Sequence, residues 1–172
     1  ACPPQKVTLQ GRHCRLEPFD RARHGDSLRT ALELDRDGRD WAYLMPRPQS
    51  DADWAAWFDM MASSQDPLFF AIVDNASGDA IGSCSYLRID AANGVIEVGW
   101  LRFSPRLQRT IAATEAMYLM MNQAFDWGYR RYEWKCNALN APSMRAAERL
   151  GFTFEGIFRQ ARVNWGLNRD TA

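Results

Sequence analysis

Two polar side chains three residues apart, Asn140 and Ser143, are the first candidates for chemistry in this sequence. They stand in the run Asn137 to Gly156, which reads as a strand exit, a capped helix and a sharp return into a strand. Asn140 suits an N-cap, Pro142 falls in the first turn where a missing N–H costs little, and Gly151 suits the C′ position. Phe152 and Phe154 then alternate with Thr153 and Glu155 at strand period. The spacing sets Asn140 and Ser143 together at the amino end of a short helix, an end with partial positive charge and free N–H groups. Convergent polar groups at a strand-to-helix junction are where α/β proteins take ligands. The plainer alternative for Ser143 is capping at the third helical position.

The elements that must position this pair can be read along the chain. Residues 1–5 read as a loose leader, followed by strand pieces at 6–9 and 13–17 around Gly11. Asp20 suits the cap of a helix to about residue 34, with Leu28, Ala31 and Leu32 on its apolar side. Residues 36–48 form a loop dense in charge, aromatics and proline, including Trp41, Tyr43 and Met45. Ser50 and Asp53 open a second helix with a box-like start, and Trp54, Trp57, Phe58 and Met61 make one apolar face. Strands are expected at 68–73, 80–87 and 95–103, with turns at 75–78 and at Asn93-Gly94. A long helix covers 111–127, with Ala113, Met117, Met120 and Ala124 along one side and Gly128 to stop it. A strand at 131–137, the capped helix and a strand from 152 to about 163 complete a mixed α/β order around a central sheet.

Composition narrows the functions. The chain has 172 residues, enough for one domain with a substantial core. Hydrophobic residues are 47%, which excludes extended disorder. With 21 basic and 21 acidic residues the formal net charge is +0, so the sequence lacks the basic excess of a direct nucleic-acid binder. There is no run of membrane-spanning length and no signal-like apolar segment. Cys2, Cys14, Cys84 and Cys136 show no CxxC or Cys/His metal-ligand spacing, and His13 and His24 add none. No metal site is expected, and free thiols suit a reducing cytoplasm.

The motif Asn-x-x-Ser followed by Ala-x-x-Leu-Gly-Phe-x-x-Glu-Gly, at 140–156, resembles the last shared motif of the GNAT superfamily of acyl-CoA-dependent N-acyltransferases. The closest type is the RimJ/RimL-like branch, the ribosomal-protein N-terminal acetyltransferases and their relatives. The order of elements matches as well, from about Thr8 onward. The resemblance implies a mostly antiparallel central sheet with a splayed parallel strand pair, flanked by helices, in a single domain over 1–172. Similar sequences run on from Asn168–Thr171 into a last strand, so the family's C-terminal strand is expected to be missing here.

The same resemblance assigns a cofactor loop. GNAT proteins carry Gln/Arg-x-x-Gly-x-Gly/Ala after a long strand, and the aligned run is Gln108, Arg109, Thr110, Ile111, Ala112 and Ala113, followed by Thr114 and Glu115. A helix start with exposed N–H groups is the generic receptor for the pyrophosphate of acetyl-CoA. Ile111 stands where glycine is usual, so its side chain must point away and its backbone must keep a negative φ. Arg106 and Arg109 either counter the phosphate charge or form a solvated rim. Trp100, Leu101, Arg102 and Phe103 are expected to offer backbone groups to the pantetheine arm, with Asn140 holding it from the second side.

Acyl transfer to an amine needs a neutral amine, a polarised carbonyl and a proton for the departing thiolate. By motif position Ser143 matches the RimL-type general acid. The glutamate that such enzymes place in the strand after Gly-Phe is replaced here by Arg162. Glu97 is the substitute base, on the strand before the loop and between hydrophobic neighbours; its alternative is a surface carboxylate. Trp41 and Tyr43 are expected to line the acceptor pocket, whereas Trp54 and Trp57 belong to a helical core stripe. The implied activity is N-acetyl transfer to a protein N-terminal α-amine or another primary amine. A small-molecule acceptor and a non-catalytic acyl-CoA-binding module are the alternatives. A homodimer is implied by the resemblance alone.

Overall fold

Helix ends fall where the sequence supplies caps. In the computed structural model, which describes residues 1–164 and 166–172, Asp20 caps α1 (Arg21–Leu32) through the amide of Arg23. Ser50 and Asp53 form a reciprocal capping box at the start of α2 (Asp51–Ser63). Thr110 caps α3 (Ile111–Asp126), and Asn140 caps α4 (Ala141–Arg149). Each cap satisfies a donor that the helix itself cannot. The chain divides into two compact units, Ala1–Tyr132 and Glu133–Ala172.

The first unit is built on a mixed sheet. Strands β1 (Leu9–Gln10), β2 (Cys14–Pro18), β3 (Leu68–Asp74), β4 (Ala80–Asp90), β5 (Val95–Phe103) and β6 (Arg131–Trp134) follow one another in that order across the sheet. Neighbours from β1 to β5 are antiparallel. Helix α3 carries the chain from β5 to β6, which makes their pairing parallel. This is the mixed α/β fold the sequence order implies. The boundary between the two units falls inside β6, after Tyr132.

Packing in this unit follows the apolar stripes. Leu28, Ala31 and Leu32 of α1 are buried, as are Trp54, Trp57, Phe58 and Met61 of α2 and Ala113, Met117, Met120 and Ala124 of α3. Trp41 joins Trp54 and Trp57 edge-on, with ring centroids 5.9 and 5.5 Å away. Aromatic pairs of this kind contribute about 0.5–1.5 kcal/mol each beyond area burial. The first residues are not loose: the Ala1 amino group donates to the Ala91 carbonyl and the Cys2 amide to that of Trp127.

The second unit holds α4 and a hairpin of β7 (Phe158–Asn164) and β8 (Leu167–Thr171). Thr171 bridges to Asn137, and Cys136 and Ala172 exchange backbone bonds of 3.0 and 2.9 Å. Residues 168–171, expected to precede a last strand, are themselves strand. The strand expected from 152 begins only at Phe158. The reason is local. Gly151 has φ +92, its amide bonds to Glu148 O, and the Phe152 amide bonds to Ala147 O, so both donors close the helix instead of joining a ladder.

Candidate functional site

The start of α3 is the part of the first unit best shaped for an anion. Thr110 Oγ1 donates to Leu107 O at 2.7 Å and accepts from the Ala113 amide at 3.2 Å. Among the described residues the amides of Ile111 and Ala112 have no acceptor. Arg109, just before them, has φ +60, a turn that aims successive N–H groups to one side. The Ile111 side chain is 69% exposed, and its φ is not among the positive ones. Its Cβ therefore leaves the amides accessible, which is what a bound pyrophosphate requires, so these residues fit coenzyme A. A cleft of about 560 Å³ opens beside this end, bordered by Thr110, Ile111, Ala112, Arg12, His13 and Arg106. Arg106 is engaged there by Asp79 at 2.8 Å and by Ser77.

Two side chains buttress this helix start. Glu115, one turn on, accepts the amides of Arg12, His13 and Cys14 at 2.8, 2.7 and 2.9 Å. Burial pulls its carboxyl up, but those three amides together outweigh it and hold the group below the usual carboxylate range. Gly11 is required beside it, because a Cβ there would meet the Glu115 carboxylate at 2.7 Å. Gln108 Nε2 donates to Phe103 O at 2.8 Å and to Asp40 Oδ2 at 2.6 Å. Burial raises the Asp40 carboxyl, and the Gln108 bond opposes that shift.

Strand β5 leads into this loop through a bulge. Ser85 and Ser83 of β4 face Gly99 and Arg102, so two steps on one strand oppose three on the other, and Trp100 takes φ +51. A bulge bends the strand and withdraws backbone groups from the ladder. Of the residues expected to line the pantetheine arm, Leu101 and Phe103 are half-buried. Arg102 sends its buried side chain elsewhere, toward the loop after α1. Glu97 is 3% exposed, which removes the surface-carboxylate alternative, and its Oε2 accepts from Arg88 Nη1.

The loop 36–48 differs from its expectation in one respect. Trp41 lies in a 3₁₀ turn (Arg39–Trp41) and is 4% exposed, packed with Trp54 and Trp57 under the Arg102 guanidinium. It is a core residue rather than an open pocket wall, because the turn folds its ring inward. Tyr43 stays in irregular backbone and is half-buried.

In the second unit the polar pair sits at the start of α4 as expected, but its amides are not free. Asn140 Oδ1 accepts from the Ser143 amide at 3.3 Å. The Ala141 amide bonds to Leu139 O, that of Met144 to Asn140 O, and Pro142 has none. Capping thus falls to the Asn140 side chain and the Ser143 amide. The Ser143 hydroxyl is left to accept from Trp134 Nε1 at 3.0 Å and to bond the Cys136 thiol. Burial pushes that thiol up, partly offset by Ser143 and Arg169. Arg162 is exposed on β7, opposite Arg169.

Some chemistry escaped the sequence. His24 accepts the Asp20 amide at Nδ1, so Nε2 carries the proton that faces buried Glu17 at 2.9 Å. Arg102, Asp40 and Glu115 also act across long sequence separations; only Glu115 had a signal, its place in the loop motif. No group of residues able to hold a metal ion is present among the described residues.

Residues 14–153 match the family profile of the acetyltransferase (GNAT) domain. A solved GCN5-related N-acetyltransferase from Brucella melitensis is 47% identical, with TM-score 0.96 over 99% of this chain and 78% of that one. A protein from Chromobacterium violaceum, provisionally named as an acetyltransferase of the GNAT family, is 37% identical, with TM-score 0.91 over 99% and 86%. The microcin C7 self immunity acetyltransferase MccE, solved with acetyl-CoA and AMP, shares the fold at 20% identity, with TM-score 0.78 over 94% and 90%. No protein of curated function matches the chain in sequence.

Proposed function

Because the chain belongs to the GNAT acetyltransferase family and is an N-acetyltransferase, we propose that it acetylates a protein N-terminal α-amine from acetyl-CoA. The observation that carries the cofactor half of this reading is the pair of amides at Ile111 and Ala112 with no acceptor of their own. When bound, acetyl-CoA supplies an acetyl group activated as a thioester. The amides of residues 111 and 112, with Gln108, Arg109, Thr110, Ala113 and Thr114 around them, hold its phosphates. The backbone of 100–103, past the bulge, offers donors and acceptors to the pantetheine arm, and Asn140 is assigned to the same arm by motif.

Ser143 is the proton donor. Trp134 donates to its oxygen, which leaves the hydroxyl's own hydrogen to be shared between the Cys136 sulfur and a departing thiolate. Glu97 takes the proton of the amine through water, and Tyr43 lines the acceptor side. The RimJ/RimL-like motif at 140–156 supports a protein acceptor. A protein from Vibrio cholerae provisionally named a ribosomal-protein-serine acetyltransferase shares the fold, at 14% identity.

The test has two stages. Calorimetry with coenzyme A should give a single site, and absence of binding sinks the cofactor assignment. Thiol release from acetyl-CoA is then followed with peptides beginning in Ser, Ala or Met and with small diamines. Release with peptides is the expected outcome; release with small amines only transfers the activity to a small-molecule acceptor.

A further inference from the structure

Arg102 is a buried cation to which no carboxylate side chain is hydrogen-bonded among the described residues. Its residue is 2% exposed, its Nη1 donates to Asp40 O at 2.9 Å and its Nη2 to Met45 O at 3.5 Å. Its guanidinium carbon lies 4.0 Å over the Trp41 ring, and Nε has no partner. Burial depresses its basicity to a pKa of about 9. Keeping a charge there is costly, and an apolar chain of similar length would fill the space without that cost. What an apolar chain lacks is a planar fork that reaches two carbonyls while stacking on an indole. Both carbonyls belong to the loop between α1 and α2. Asp40 is gripped a second time, at its carboxylate, by Gln108.

We propose that Arg102 is a positioning residue that fixes the loop 40–45 to the strand leading into the cofactor loop, and that Gln108 lets cofactor occupancy tighten that loop. Gln108 stands three residues before Ile111, so an anion on the amides of residues 111 and 112 orders the backbone whose side chain holds Asp40. The coupling is reciprocal: a loop held in place also favours the anion-bound form. This rests on the reading above that residues 108–114 hold coenzyme A and that the loop with Tyr43 faces the acceptor.

Hydrogen exchange of the full chain, with and without saturating coenzyme A, tests both halves. The amides of Asp40, Trp41, Ala42 and Leu44 are bonded within the loop and report its opening. In Arg102→Met they should exchange at least about tenfold faster while α2 amides 54–61 stay unchanged. Arg102→Lys should not restore them, because an ammonium lacks the planar fork that stacks on the Trp41 ring while reaching both carbonyls. In the unsubstituted protein coenzyme A should slow the loop amides about threefold or more. Gln108→Ala, which should itself weaken binding, should abolish that slowing even at coenzyme A concentrations raised until calorimetry shows the variant saturated. Unchanged loop exchange in Arg102→Met, equal acceleration of α2, or full recovery with lysine would each overturn the anchoring role. Slowing that persists in Gln108→Ala overturns the coupling. If coenzyme A fails to bind the unsubstituted protein, the functional reading fails, and the ligand-free comparison still decides the anchor.

Discussion

The starts of α3 and α4 look alike in sequence and differ in what they leave unspent. Each opens with a polar cap, Thr110 or Asn140, that accepts the amide three residues on. At α3 the next two amides have no acceptor, and the helix behind them buries Ala113, Ala116, Met117, Met120 and Ala124. At α4 every first-turn amide is used and no residue of the helix is buried. A helix anchored by packing and by Glu115 can keep donors open for a ligand. A short helix without a buried face satisfies its own donors first, and what it presents is a hydroxyl held by Trp134. The proposed function accordingly assigns binding to the start of α3 and proton handling to the start of α4.

The hardest blow to that division comes from Ser143→Ala, with an expected loss of about 100-fold in kcat and no change in coenzyme A affinity. Calorimetry beside steady-state kinetics reads both; weaker binding with kcat intact would make α4 a binding start after all. Ile111→Pro tests the other side. Proline is tolerated at the first helical position but deletes one open amide, so coenzyme A Kd should rise about 30-fold, near 2 kcal/mol for a bond to a charged group. An unchanged Kd would mean that the amide does not meet the phosphates.

Glu115→Gln keeps one acceptor oxygen and loses the charge, and should lower stability by roughly 2 kcal/mol, or Tm by about 4–8 °C. The sign with pH follows from the lowered carboxyl of Glu115. Its contribution is complete above the unfolded carboxylate range and is lost as pH falls through the lower folded value. The gap between parent and variant Tm should therefore narrow on acidification; a constant gap would assign the effect to packing. The smallest effect is expected from Trp134→Phe, about fivefold in kcat, the worth of one neutral hydrogen bond. Equal kcat in this variant would show that Ser143 needs no orienting donor.

Much of the frame was legible because its signals are local. The Ser50–Asp53 box, the Asn140 cap, the Gly151 stop and the apolar stripes of α1, α2 and α3 depend on residues within one or two turns. Local pattern also misled. Alternation in 152–155 reads as strand, yet the Phe152 amide is consumed by the Schellman closure of α4. Trp41 reads as a loop aromatic, yet a 3₁₀ turn folds it into the α2 stripe.

By itself the sequence determined the element order as far as α4, the helix boundaries, the family motif at 140–156 and the loop at 108–115, since neighbouring side chains and backbone settle these. Only the tertiary structure decided which helix start keeps open amides, that Glu97 is buried against Arg88, and that Arg102 and Gln108 grip Asp40. Those outcomes pair groups as much as 60 to 100 residues apart, such as Gln108 with Asp40 and Glu115 with the amides of 12–14. A hydrogen bond between distant segments depends on where packing brings them, and no spacing within either segment encodes that meeting.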